Sequence, residues 1–276
     1  MTPRRRALHL ILFLATLVTT TLFGALLSEG DLHQASGWAR GFLFSLPLLL
    51  ILGAHEAAHY VTARRSGIDA SLPWFIPSPL LPGTFGAIIR IRSAVPSRQA
   101  LLALGLSGPA TSFLLSILAA AIGIPLSREV SLSGLDGGMI LGSPLILSGL
   151  THLLHGSVAP GNDLLFHPLA FAGWIGLLVT AINLLPIGQL DGGHIAYALI
   201  GRRHRIVARL AVAALIPLGI FLWEGWLLWA VLGVVFGLDH PPCLDDRPLG
   251  REAVLPGVVA VAILVLCFMP VPVSIP

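Results

Sequence analysis

His55, Glu56 and His59 form the string HEAAH inside a long apolar run. On a helix, positions i and i+4 share a face, so both imidazoles can reach one metal ion while the Glu carboxylate lies beside it. That is a zinc-plus-base arrangement suited to hydrolysis. Its position strengthens the reading, because a Glu near the middle of an apolar span costs about 3 kcal/mol on insertion scales. Two histidines add to that cost. The competing reading is a satisfied hydrogen-bonded network that ties helices together.

A hydrolytic zinc site takes a third protein ligand and leaves its fourth position for water. Asp191 is the candidate, in a stretch that runs from Asn183 through Pro186, Gly188, Gln189 and Leu190 to Asp191, Gly192, Gly193 and His194. Pro186 and Gly188 are expected to break the helix and turn the carboxylate back into the bundle. An N-cap on the next short helix is the alternative for Asp191. His194 could orient Asp191 but reads more simply as a solvated interfacial side chain. His9, His33, His152, His155, His167, His204 and His240 have no spacing partner and carry no expectation of chemistry. Cys243 and Cys267 lie in unlike surroundings, with no C-x-x-C pair, so any metal must use His and carboxylate.

The elements that position these groups must fold in lipid. Of the 276 residues, 55% are apolar and only 11% charged, with a mean hydropathy of +0.90. A soluble domain carries about a quarter charged residues, so the chain reads as a membrane protein. Apolar runs at 7–27, 41–63, 100–124, 169–186, 206–223 and 253–268 are each expected to span, with 225–238 a seventh span or a half-inserted segment. The fold expected is therefore an all-α polytopic bundle of six or seven transmembrane helices, forming a single domain over 1–276. The first run follows Arg4, Arg5 and Arg6 and is read as a retained anchor rather than a cleaved signal.

The sequence pI near 9.5 does not point to nucleic acid. Every cation is Arg, and the arginines sit at the ends of apolar runs. With seven spans and a cytoplasmic N-terminus, all but Arg40 and Arg128 of the 16 arginines fall on the cytoplasmic side, as the positive-inside rule requires. A bacterial inner (plasma) membrane is the expected location. Between the second and third spans, residues 68–98 are rich in Pro and Gly, and the 86–92 segment ends in alternating apolar and basic side chains, which reads as a strand. Between the third and fourth, the apolar piece 138–150 is too short to cross and is expected to be interfacial.

With both motifs in hand, the sequence resembles the site-2 protease family of intramembrane metalloproteases, marked by H-E-x-x-H on one span and Asn-x-x-Pro followed by Asp-Gly on a later one. Gly108 through Ser112 matches a third, intervening element. The stretch Gly83 to Ala87 and the His167, Pro168, Leu169 triplet resemble the branch that includes plastid members. The likeness covers about 42–199, the expected catalytic core, with no PDZ or CBS domain fitting into the loops. It implies that His55, His59 and Asp191 bind one Zn2+, that Glu56 activates the attacking water, and that Asn183 stabilises the oxyanion. It also implies a short re-entrant β element, whose residues Gly86, Ile88, Ile89, Arg90 and Ile91 would pair with an extended substrate.

The expected partners are a transmembrane protein or peptide substrate and the lipid bilayer. For Asn183 the competing reading is an interhelical hydrogen bond. The β segment could instead be a plain amphipathic hairpin. Two other functions use the same polar cluster: a relative that binds membrane segments without cutting them, and a cation transporter.

Overall fold

The computed structural model of the chain describes residues 3–27, 33–131 and 139–274. Nine α-helices are found among them: α1 (Pro3–Leu27), α2 (Ala35–Arg65), α3 (Arg98–Gly123), α4 (Leu145–Leu154), α5 (Pro168–Asn183), α6 (Asp191–Ile200), α7 (His204–Phe221), α8 (Gly225–Phe236) and α9 (Val254–Cys267). The strands are β1 (Trp74–Pro77), β2 (Thr84–Ile88), β3 (Arg128–Ser131), β4 (Ile140–Leu141), β5 (Asn162–Leu165) and β6 (Val273–Ser274). They form three separate two-stranded antiparallel pairs, β1 with β2, β3 with β5 and β4 with β6.

α5 lies at the centre. Every residue from Ala170 to Leu177 is buried, as expected of a helix that is apolar all round. It packs against α2, α3 and α9, and α3 also packs against α6. The largest core cluster joins Phe44, Leu48 and Leu52 of α2 to Leu101 and Leu102 of α3, Trp174 and Leu177 of α5, and Tyr197 of α6. Such interhelical packing, with interhelical hydrogen bonds, is what holds helices together where lipid is as apolar as the side chains.

The span count is corrected by this architecture. Four stretches among the described residues are long and apolar enough to cross a membrane, Arg6–Leu27, Ala35–Arg65, Arg98–Leu126 and Asp191–Phe221, rather than six or seven. An apolar run measures composition, whereas crossing needs length. The 16 residues of α5 reach about 24 Å at 1.5 Å per residue, short of a core of about 30 Å. α8 and α9 have 12 and 14 residues. The apolarity of α5 serves burial in protein instead, and α6 continues into α7 through a 3-10 turn at Gly201–Arg203 to make one long stretch. The chain is a multi-pass integral membrane protein.

The expected re-entrant β element is not present among the described residues. β1 and β2 make a short hairpin packed along α1, in the register Trp74 with Ile88, Phe75 with Ala87 and Pro77 with Thr84. The ladder stops at Ile88, before the basic alternation. Beyond it the Ser71 N–H donates to the Arg90 carbonyl, the Arg90 N–H donates to Ser71 Oγ, and Ala70 bridges Ile91, without a continuous strand. Arg90 and Arg92 are exposed and Ile89 and Ile91 half-buried, so the alternation records one face against the helices rather than a long ladder. In the expected interfacial piece, Gly138 lies outside the described residues. The remainder divides between β4 and the start of α4, a helix of 10 residues.

Candidate metal centre

α2 carries His55, Glu56 and His59 on consecutive turns, all three buried. The helix closes just beyond them. Gly67 takes the left-handed conformation (φ +73°), and the Ile68 N–H donates to the Ala63 carbonyl at 2.9 Å, a glycine-based helix end. Arg64 and Arg65 occupy the last turn, where cations suit the helix dipole.

Asp191 arrives from the far side of the bundle. α5 ends at Asn183, and a turn through Gly188 (φ +53°) leads to α6, of which Asp191 is the first residue. The N-cap position belongs to Leu190. The Asp191 carboxylate turns onto the histidines instead, with Oδ2 3.2 Å from His55 Nε2 and Oδ1 3.2 Å from His59 Nε2. The two Nε2 atoms are 3.0 Å apart. Glycine permits this convergence at two places. A Cβ at Gly108 of α3 would lie 2.7 Å from His55 Nε2 and closer still to His59, and one at Gly192 would run into the Leu184 carbonyl.

The outer nitrogens explain why the inner ones converge. His59 Nδ1–H donates to the Leu104 carbonyl at 2.8 Å. His55 Nδ1 lies 3.0 Å from Ser112 Oγ, which lies 2.9 Å from Thr180 Oγ1, whose hydroxyl donates to the Gly176 carbonyl at 2.7 Å. Each chain ends on a carbonyl, which can only accept, so each runs outward from an Nδ1–H and leaves a lone pair on Nε2. Two lone pairs and a carboxylate facing one point repel one another unless a cation lies among them. Ligands 2.0–2.1 Å from zinc at tetrahedral angles are about 3.3 Å apart, so edges of 3.0, 3.2 and 3.2 Å fit such an ion.

Around this donor set is a cavity of about 190 Å³, lined among others by Glu56, Ile88, Ile89, Ile91, Asn183 and Gln189. Glu56 Oε1 is 4.0 Å from His55 Nε2, and the Ile89 backbone N–H approaches the Glu56 carboxylate. Asn183 Nδ2 lies 3.5 Å from His55 Nε2. Of the segment expected to meet substrate, Ile88, Ile89 and Ile91 reach the cavity, together with Ala87, whereas Gly86 and Arg90 do not line it.

Sequence reasoning missed three groups. Thr180 has no motif of its own, and its position four residues after Gly176 on α5 shows only an ordinary hydroxyl-to-carbonyl bond. Gln189 lines the cavity two residues before Asp191. His194, expected to be solvated, also lines the cavity and is bound to His240, its Nδ1 2.7 Å from His240 Nε2. No spacing pattern announces a pair 46 residues apart.

A multi-pass membrane protein whose helices bring two buried imidazoles and a half-buried carboxylate to one point, beside a second carboxylate, can hold a metal ion there. Residues 43–223 match the model of peptidase family M50, and the chain belongs to that family. It is 34% identical over 233 residues to the probable zinc metalloprotease EGY2, chloroplastic, of Oryza sativa subsp. indica, covering 83% of this chain and 41% of the relative. It is 32% identical to Arabidopsis thaliana EGY2 (80% and 39% covered) and 31% identical to Arabidopsis thaliana EGY1 (82% and 43%), both likewise named as probable chloroplastic zinc metalloproteases. The chain spans about two fifths of the length of these relatives. No solved structure matches it.

Proposed function

We propose that the chain is an intramembrane zinc metalloendopeptidase, hydrolysing peptide bonds in or beside the transmembrane segments of membrane proteins. The observation that carries this reading is the convergence of His55, His59 and Asp191 next to Glu56 in a chain of peptidase family M50. Zinc is the metal of choice because two imidazoles and a carboxylate suit it and because the relatives are named for it. We take the chain as one metalloprotease domain with its core at about 42–199. The clustering of Arg64, Arg65, Arg90, Arg92 and Arg98 between α2 and α3 supports a cytoplasmic side there and, because the end of α1 packs on the start of α2, a cytoplasmic N-terminus on that same side.

His55, His59 and Asp191 would hold the zinc, which would supply Lewis acidity toward the scissile carbonyl and the attacking water. Glu56 takes a proton from the attacking water as its oxygen bonds to the carbonyl carbon. It then delivers that proton to the nitrogen as the C–N bond breaks. The Asn183 amide donates to the carbonyl oxygen as negative charge builds there, and needs no ionisation to do so. Ile88, Ile89 and Ile91 form the wall along which an unwound segment lies, and the unpaired side of β2 offers it backbone groups.

Metal analysis and cleavage of membrane-segment peptides, with wild-type and Glu56→Gln protein side by side, test the reading. We expect about one zinc per chain in both and cleavage only in wild type. Zinc in both with no cleavage by wild type across a broad peptide panel overturns the peptidase and favours a binding or transport role.

A further inference from the structure

His194 of α6 reaches the cavity from a second histidine cluster that the proposed reaction does not use. Its partner His240 lies in the loop between α8 and α9, and the third member, His204, begins α7.

These rings are connected in one direction. The Pro241 carbonyl can only accept, so His240 Nδ1 carries the proton of their 2.6 Å contact. Burial holds His240 below the ordinary imidazole range, which keeps the ring neutral near pH 7 and makes its Nε2 an acceptor. His194 Nδ1–H therefore donates the 2.7 Å bond to it. A neutral His194 is left with its lone pair on Nε2, and no described residue hydrogen-bonds to that atom. His204 holds the arrangement from behind: its Nδ1–H donates to the Gly201 carbonyl at 2.9 Å, and its Nε2 accepts the His240 backbone N–H at 3.1 Å. The Tyr197 ring stacks on His240 with centroids 4.7 Å apart.

A solvated histidine needs none of this. Two rings fixed through two carbonyls make a built acceptor on the wall of the site. It is not a further metal ligand, since the atoms that lie within 4.8 Å of one another come from His55, His59 and Asp191. Nor can an acceptor stabilise an oxyanion, which leaves that task to Asn183. What an extended peptide presents besides carbonyls is N–H groups, in alternation along its length.

Resting on the peptidase reading above, we propose that His194 Nε2 accepts a backbone N–H of the peptide held at the metal site, with His240 and Pro241 as positioning groups that keep His194 in its accepting tautomer.

The test uses the full chain in detergent, loaded with zinc, in a Glu56→Gln background, so that binding is read without turnover. The probe is a fluorescent Leu/Ala transmembrane peptide of about 25 residues with a central Gly-Pro break. Each backbone amide near the break is replaced in turn by an ester, which removes one N–H. At one position the ester should weaken binding to the His194-containing protein about fivefold to tenfold and leave binding to His194→Phe unchanged. His240→Phe should lose the same sensitivity, and His240→Gln, which offers an acceptor oxygen to His194 Nδ1–H, should restore it. Zinc content and thermal unfolding of each variant guard against misfolding, with His194→Gln as a second variant that retains an acceptor and should keep the sensitivity. Identical ester profiles for His194 and His194→Phe overturn the proposal, and sensitivity surviving in His240→Phe overturns the positioning role. Failure of wild type to cleave, by contrast, is read in the separate Glu56 comparison.

Discussion

Two histidine clusters share this molecule and use the same device to opposite ends. In both, an Nδ1–H is committed to a chain that ends on a backbone carbonyl, Leu104 or Gly176 in the first and Pro241 in the second. In the first cluster two Nε2 atoms then meet a carboxylate, 3.0 to 3.2 Å apart, and the arrangement calls for a cation. In the second, each ring nitrogen but one is spent on another ring, a carbonyl or an N–H. The result is a single acceptor rather than a metal site. Residue type does not separate the two; what each lone pair faces does.

Removing one ligand should break the comparison most strongly. His59→Ala or Asp191→Ala is expected to reduce bound zinc to background and cleavage by about a thousandfold or more, measured by metal analysis and peptide assay. His204→Ala, in the other cluster, should retain its zinc.

Gly108→Ala comes next. The added methyl would press on both Nε2 atoms, so zinc affinity should fall about a hundredfold, read by competition with a chelator. Next, Asn183→Ala is expected to lower kcat about a hundredfold with zinc content unchanged. That split separates an oxyanion donor from a residue that merely ties helices, whose loss would shift the melting temperature and leave kcat alone.

Ser112→Ala tests whether the outer hydrogen bonds matter to the first cluster. It breaks the His55 chain while leaving the three ligands in place, and zinc affinity should drop about tenfold. The smallest effect belongs to the loop that carries His240. There Arg98 Nε donates to Asp246 Oδ1 at 2.8 Å and Tyr197 to the same oxygen at 3.0 Å. These bonds hold the Asp246 carboxyl below the usual Asp range, the Arg98 bond foremost. A carboxyl depressed on folding contributes stability above its unfolded pKa and loses it as pH falls through the folded one. Asp246→Asn should therefore flatten the acid side of a Tm-against-pH curve. The side chain is 36% exposed, and solvent screening keeps the effect under about 1 kcal/mol.

Much of the first cluster was legible because helical spacing is local. Four residues of separation put His55 and His59 on one face whatever surrounds them, and Pro186 with Gly188 marked the turn that brings Asp191 round. The span count was less legible. Apolar composition does not distinguish α5, enclosed by other helices, from α1, much of whose surface stays exposed. The strand was read a few residues late, because the 88–92 alternation reports a half-buried edge while the ladder itself runs from Thr84 to Ile88. Thr180 and Gln189 carried no signal, and His194, three residues after Asp191, was read as solvated because its partner His240 lies 46 residues away.

From its sequence alone this chain was determined to be a membrane protein, with two imidazoles and a Glu on one helical face and a carboxylate delivered by a broken helix. Those properties follow from composition, helix periodicity and the backbone limits of proline and glycine, all of which act over a few residues. Only the tertiary structure decided how many helices can cross, which hydroxyls and carbonyls fix each ring, and that His194, on the wall of the cavity, is bound to a histidine 46 residues away. Those outcomes depend on contacts between segments distant in the chain, and no local preference encodes them.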